Sequence, residues 1–175
     1  MSTIKAESWR TLNDEPVEAF AQVVTTQKTD IQNITGPTTA DVMSVTITPR
    51  YADSKILLLL MVNYMVNGHG GIQILKNGTL MPEFSGDLLG YSARNSAWSW
   101  DYGTTSYNTV YDCRCHNGEI LDTAGTTSPI TYTVRMNMQQ SGYIGLNYNA
   151  YNDADASYTF RTASCITAIE VLQGN

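Results

Sequence analysis

The segment Ile130-Thr-Tyr-Thr-Val-Arg-Met-Asn-Met alternates apolar and polar residues without a break. A helix turns about 100° per residue and cannot bury such a pattern on one side, whereas a strand sends successive side chains to opposite faces. Ile130, Tyr132, Val134, Met136 and Met138 are therefore expected to point inward, with Thr and Arg outward. The same period of two recurs in Met43-Ser-Val-Thr-Ile-Thr, which puts Met43, Val45 and Ile47 on one face, and in Tyr143 to Ala150, which aligns Ile144, Leu146 and Tyr148. The closing run Ser164-Cys-Ile-Thr-Ala-Ile-Glu-Val-Leu is a further strand. With almost no helical periodicity before it, the chain reads as an all-β protein, an antiparallel β-sandwich of about eight strands.

Other segments fit this reading. Phe20 to Thr26 is expected to be the first strand, and Asn33-Ile-Thr-Gly-Pro-Thr-Thr a turn-rich link. Ile56 to Val62, within Lys55-Ile-Leu-Leu-Leu-Leu-Met-Val, reads as a strand buried on both faces and is well short of the roughly 20 residues that span a bilayer as a helix. Gly68-His-Gly-Gly reads as a flexible glycine turn that interrupts the pattern. Asn77-Gly78 between Ile72-Gln-Ile-Leu-Lys and Thr79-Leu-Met predicts a two-residue type I′ hairpin, because both central residues need positive φ. Tyr107 to Cys115 alternates again, and Asn117-Gly118 is expected to turn the chain.

At 175 residues with 42% hydrophobic content, one core suffices without disulfides or metals. The expected organisation is a short N-terminal arm, residues 1–18, and a sandwich over 19–175. Trp9 and Leu12 are the apolar residues with which such an arm could anchor itself to another protein. A net charge of −6 with no Lys/Arg cluster disfavours nucleic acid as a partner, and the shortness of the apolar runs disfavours a membrane. No basic segment followed by an apolar one opens the chain, so export by a signal peptide is not expected. Three cysteines, two of them in Cys113-Arg-Cys115, do not make a disulfide framework and fit synthesis in a reducing cytoplasm.

Candidate chemistry is sparse. His69 among glycines resembles part of an esterase oxyanion loop, but no Gly-x-Ser-x-Gly elbow accompanies it. Cys113, Cys115 and His116 fall short of the four ligands of a closed zinc site, and the plain expectation is buried thiols. Asp153-Ala-Asp155-Ala-Ser157 starts like a calcium loop, yet Tyr158 stands where the glycine belongs and Ser164 where the bidentate glutamate belongs. Asp153 and Asp155 are left as candidates for a hard cation held between chains. Glu83, Asp87, Asp101, Asp112 and Glu119 form no recognisable glycosidase pair. No cofactor is expected, and the chain is not expected to be an enzyme.

Residues 83–106 lack a clean period and read as a long surface excursion, where function often sits. Within it Trp98, Trp100 and Tyr102 alternate, so on a strand they would share one face. Aromatic rings arranged that way suit a glycan platform or a subunit contact. Tyrosine, with 11 residues against 3 Trp and 3 Phe, suits interfaces because its ring buries area while its hydroxyl tolerates water.

Val23-Val-Thr-Thr-Gln-Lys-Thr-Asp, Val45-Thr-Ile-Thr-Pro-Arg-Tyr-Ala-Asp-Ser-Lys-Ile-Leu, Leu121-Asp-Thr-Ala-Gly-Thr-Thr-Ser-Pro-Ile-Thr-Tyr-Thr-Val and Ala163-Ser-Cys-Ile-Thr-Ala-Ile-Glu-Val, in that order and spacing, resemble the TNF/C1q-like jelly-roll domain of tailed-phage virion proteins. The resemblance covers roughly residues 20–172. It implies a homotrimeric knob on the virion surface, made in the bacterial host cytoplasm, that serves as capsid decoration, cement or short fibre. Its implied partners are other copies of itself and other virion proteins of capsid or tail. The alternative it implies is a tail-fibre tip that recognises a host surface glycan. Unlike many such proteins, this chain has no collagen-like or coiled-coil segment before the sandwich, which favours a small knob over a long fibre.

Overall fold

The computed structural model describes residues 20–81, 97–101, 114–147 and 161–172. Among them are ten strands and no helix: β1 Phe20–Lys28, β2 Gln32–Thr35, β3 Thr38–Ile47, β4 Lys55–Lys76, β5 Thr79–Leu80, β6 Ala97–Asp101, β7 Arg114–Thr123, β8 Ile130–Met138, β9 Tyr143–Leu146 and β10 Ser164–Val171. All pairings are antiparallel. The fold is a jelly-roll β-sandwich, and the arm over residues 1–18, with Trp9 and Leu12, lies outside the described residues.

One strand builds both layers. The first half of β4 lies between β10 and β7 in a first sheet ordered β1-β10-β4-β7. Its second half lies between β8 and the short strands β5 and β6 in a second sheet, with β3 beyond β8. The changeover falls at Gly68-His-Gly-Gly, which corrects the expectation of a flexible turn: the strand continues and bends. Gly68 has φ +111°, and a Cβ there would lie 2.5 Å from Met138 Cε and 2.8 Å from the Ser141 carbonyl. Only glycine combines that backbone with that proximity.

Two further expectations are corrected. Asn117-Gly118 is not a turn but the middle of β7, with Asn117 paired to Met61 and Gly118 to Leu60. The link around Asn33 carries a short strand, β2, which pairs with β9. The hairpin at Asn77-Gly78 forms as its sequence requires, with φ +51° and +81°.

The core is a single cluster between the layers. Ile56, Leu58, Leu60 and Val62 of β4 with Ile166 and Ala168 of β10 face Val45 and Ile47 of β3, Ile130, Tyr132, Val134 and Met136 of β8, and Ile72 and Ile74 of β4. Burying each large side chain contributes roughly 1.5–3 kcal/mol before chain entropy is subtracted. On β3 the register steps from Asp41–Arg135 to Met43–Val134, so Val42 is an extra residue and both Val42 and Met43 are buried. This bulge bends a strand that pairs with β8 alone among the described residues and blunts its other side against further pairing.

Buried polar groups are consumed in joining strands. Asn147, fully buried with φ +63°, sits where β9 and β2 take over the lanes of β10 and β1. Its Nδ2 donates to the carbonyls of Lys28 (2.9 Å) and Asp30 (3.1 Å), and its Oδ1 accepts from Ser164 Oγ at 2.7 Å. Its amide donates to the Asn63 carbonyl at 2.9 Å, and the Asn63 amide donates back to Ser164 Oγ at 2.9 Å. At the opposite end, Tyr132 Oη donates to Asp122 Oδ2 at 2.6 Å and Lys76 Nζ stands 2.7 Å from the same oxygen, tying the second sheet to β7. Burial first, then the hydrogen bond and charge of Asp122, push the Tyr132 hydroxyl up beyond its ordinary range, so it stays protonated.

Glu170 of β10 is likewise buried. It accepts from Gln22 Nε2 at 2.8 Å and from the amides of Arg50 (2.7 Å) and Tyr51 (3.4 Å), fastening β1 and the β3–β4 turn to the sheet. Burial alone would raise its carboxyl; these hydrogen bonds outweigh it and hold the group below the usual glutamate value of 4.5. A depressed folded value means that Glu170 stabilises the fold above the unfolded value and that this contribution is lost as pH falls through the folded one. Thermal unfolding followed between pH 7 and pH 3 should therefore show a fall below about pH 4.5 in the wild type. Glu170→Gln should unfold at lower temperature at pH 7 and show a shallower acid fall; equal acid slopes would mean that Glu170 is not responsible.

Candidate interaction surface

The outward face of the first sheet carries an apolar row with further exposed apolar residues beside it. Register places Val23, Ile169, Leu57 and Leu121 in one row across β1, β10, β4 and β7, and Thr25, Thr167, Leu59 and Glu119 in the next. A third row runs Gln27, Cys165, Met61 and Asn117. Val23 is 61% exposed, Leu121 58%, and Leu59 and Met61 37% each. Four of the six large hydrophobic residues found exposed among the described residues thus stand together on one sheet face; Ile31 and Tyr51 are the other two. Scattered apolar residues are ordinary on a protein surface, but a contiguous patch marks a contact.

This corrects the expectation that Ile56 to Val62 is buried on both faces. Ile56, Leu58, Leu60 and Val62 are buried, whereas Leu57 is half-buried and Leu59 and Met61 are exposed. A continuous apolar run has two physical readings, a strand covered on both sides or a strand with a second face awaiting a partner. The run itself does not separate them. Leu121 and Val23, placed in the same row by register, are exposed as well, so this face is open among the described residues.

The outward face of the second sheet is different in kind. Thr46 and Thr131 share a hydroxyl hydrogen bond at 2.8 Å, Ser44 pairs with Thr133, and Arg135 grips Asp41 through two hydrogen bonds of 2.6 and 3.2 Å. Between the edges of β1 and β3 lies an open groove of about 430 Å³ whose lining includes Thr26, Lys28, Asp30, Asp41, Ser44 and Thr133. Its charges are mutually satisfied: Lys28 pairs with Asp30 at 2.7 Å and Asp41 with Arg135. A smaller hollow of about 350 Å³ opens beside β7, lined by Leu59, Leu60, Asn117, Gly118 and Glu119.

The residues singled out from the sequence do not converge. Trp98 pairs in register with Gly71 and Trp100 with His69 on β6, which among the described residues joins β4 alone; Tyr102 lies outside those residues. Cys115 is exposed, not buried as expected, and its thiol donates to Asn117 Oδ1 at 3.5 Å. His116 follows it on β7 and so points to the opposite face, half-buried, where burial pushes its imidazole down. Cys115 and His116 therefore cannot close on one metal. Cys113, Asp153, Asp155, Glu83, Asp87 and Asp112 lie outside the described residues. Among those described, no group of three or more His, Cys, Asp or Glu side chains is placed to hold a metal ion. His69 belongs to the β4 bend rather than to a loose loop.

The molecule is, by fold and surface, a jelly-roll sandwich with one polar outer face and one that bears an exposed apolar row. No family model matches the chain, and no curated protein matches it. Among solved structures, the VP2 subviral particle of infectious bursal disease virus is similar with a TM-score of 0.36 and 9% identity, over 98% of this chain and 47% of that one. The chain thus spans about half the length of that protein. A likeness of this size says nothing about what the present chain does.

Proposed function

We propose that this chain is a non-enzymatic structural protein of a phage virion, a homotrimeric jelly-roll knob whose N-terminal arm fixes it to capsid or tail. The observation that carries the reading is the apolar outward face of the first sheet, set against the polar face of the second. A protein with one wettable side and one sticky side works by being held to something. The buried polar side chains support this: Asn147, Tyr132 and Glu170 are each spent on joining strands, which leaves them committed to architecture rather than chemistry.

In solution the wild-type chain, at 19.3 kDa, should sediment at micromolar concentration as a species of about 58 kDa, three chains in a closed ring. A stable monomer at that concentration would overturn the trimer.

A second reading, a tail-fibre tip that grips a host surface glycan, draws on the register of β6. Trp98 and Trp100 alternate along a strand that pairs with β4 alone among the described residues. Glycan-array binding that disappears in Trp98→Ala and Trp100→Ala would favour it. Silence of the wild type on arrays and on whole cells would remove it.

A further inference from the structure

We propose that copies of this chain meet head-to-tail along β7, with Leu121 of one copy seated in the hollow beside Glu119 of the next. This rests on reading the outward face of the first sheet as a self-assembly surface, and it adds which residues touch and with what symmetry.

Three observations carry it. The first is area. Val23, Leu59, Met61 and Leu121, at the exposures given, leave roughly 350 Å² uncovered, the scale of a working patch rather than of scattered residues. A stable interface buries about 800 Å² per partner, of which some 60% is apolar, so this patch supplies most of the apolar share.

The second is shape. Leu121 is more than half exposed, and the hollow opens about one strand repeat away on the same strand, lined by Leu59, Asn117, Gly118 and Glu119. Knob and hollow thus lie on one strand, and β7 pairs only with β4 among the described residues.

The third is charge. A chain of net charge −6 approaches its own copies against repulsion, to which the row of Val23, Ile169, Leu57 and Leu121 adds nothing, while Glu119 in the next row does. Glu119 decides the symmetry. A two-fold axis that laid each Leu121 in the other copy's hollow would pass near residues 119 and 120 and bring the two Glu119 carboxylates together. A head-to-tail contact keeps the two Glu119 carboxylates apart and repeats in the same sense from copy to copy, forming a ring of three where its rotation closes.

Disulfide trapping tests this. In a Cys113→Ser, Cys115→Ser, Cys165→Ser background, Leu121→Cys and Asn117→Cys are introduced together and oxidised with diamide, which takes two electrons and two protons from each thiol pair. Head-to-tail contact yields crosslinked products of two and then three chains, while the parent without the new cysteines yields none. Products that stop at two chains would show two-fold contact and overturn the proposal. An absence of products from a protein that still sediments as a trimer would overturn this contact while leaving the trimer standing. A monomeric wild type would remove both. Should the cysteine background fail to fold, Asn117→Trp, which fills the hollow from an exposed position, serves instead. It should weaken association at least about tenfold at an unchanged unfolding temperature, and unchanged association would overturn the contact.

Discussion

Asn147→Ala should cost about 3–5 kcal/mol of folding stability and lower the unfolding temperature by roughly 10 °C, the largest single-residue effect expected in this chain. The side chain is buried and makes three hydrogen bonds. Its removal leaves the Lys28 and Asp30 carbonyls and the Ser164 hydroxyl short of a partner at the junction of four strands. The backbone adds to this, since alanine tolerates φ +63° less well than asparagine. Asn147→Gly separates the two causes: it relieves the backbone and still loses the hydrogen bonds, so it should recover about 1 kcal/mol over alanine and no more. Denaturant unfolding of the three proteins checks the order. A loss below about 1 kcal/mol in Asn147→Ala would mean that the strand handover does not depend on this residue.

The second large effect is on assembly. Placing charges on the outward face of the first sheet, as Leu59→Glu with Leu121→Glu, should raise the dissociation constant of the proposed trimer at least about a thousandfold, because each substitution removes apolar burial and strands a carboxylate at the contact. Folding of the single chain should lose no more than about 2 kcal/mol, since Leu121 is 58% and Leu59 37% exposed. The separation matters. A variant that merely unfolded would lose its circular dichroism, whereas this one should keep it and lose only mass.

Strand pattern and partnership differed in how far they could be read from the chain. Ile130 to Met138 declared its inward face because every second residue there is polar, and Asn77-Gly78 declared its hairpin because both residues tolerate positive φ. The first half of β4 is different: with Ile56, Leu57, Leu58, Leu59 and Leu60 all apolar, no alternation distinguishes a covered outer face from an open one. Only the register with Leu121 and Val23 revealed which it is. Gly68 and Gly118 misled for a related reason. A glycine signals that a side chain is not tolerated or not needed, but whether the chain turns, bends across the sandwich or runs straight past Leu60 depends on strands far away in sequence. Asn147 could not be recognised at all, because its partners Lys28, Asp30 and Ser164 are brought to it only by the crossing of lanes between β10–β1 and β9–β2.

The aromatic pair Trp98 and Trp100 was legible as an alternating strand and is placed in β6. What it faces is not written in its period. The apolar face of the first sheet, by contrast, has a chemistry that its residues fix on their own, and the proposed assembly depends on it.

Sedimentation equilibrium on two matched variants tests that most directly, the same two charges being placed on opposite faces of the sandwich. Leu59→Glu with Leu121→Glu should sediment as a single chain of 19.3 kDa, while Ser44→Glu with Thr131→Glu on the polar face should keep the mass of the wild-type trimer. Equal masses for the two variants, whether both trimeric or both monomeric while folded, would contradict the claim that the apolar face is where this protein is held.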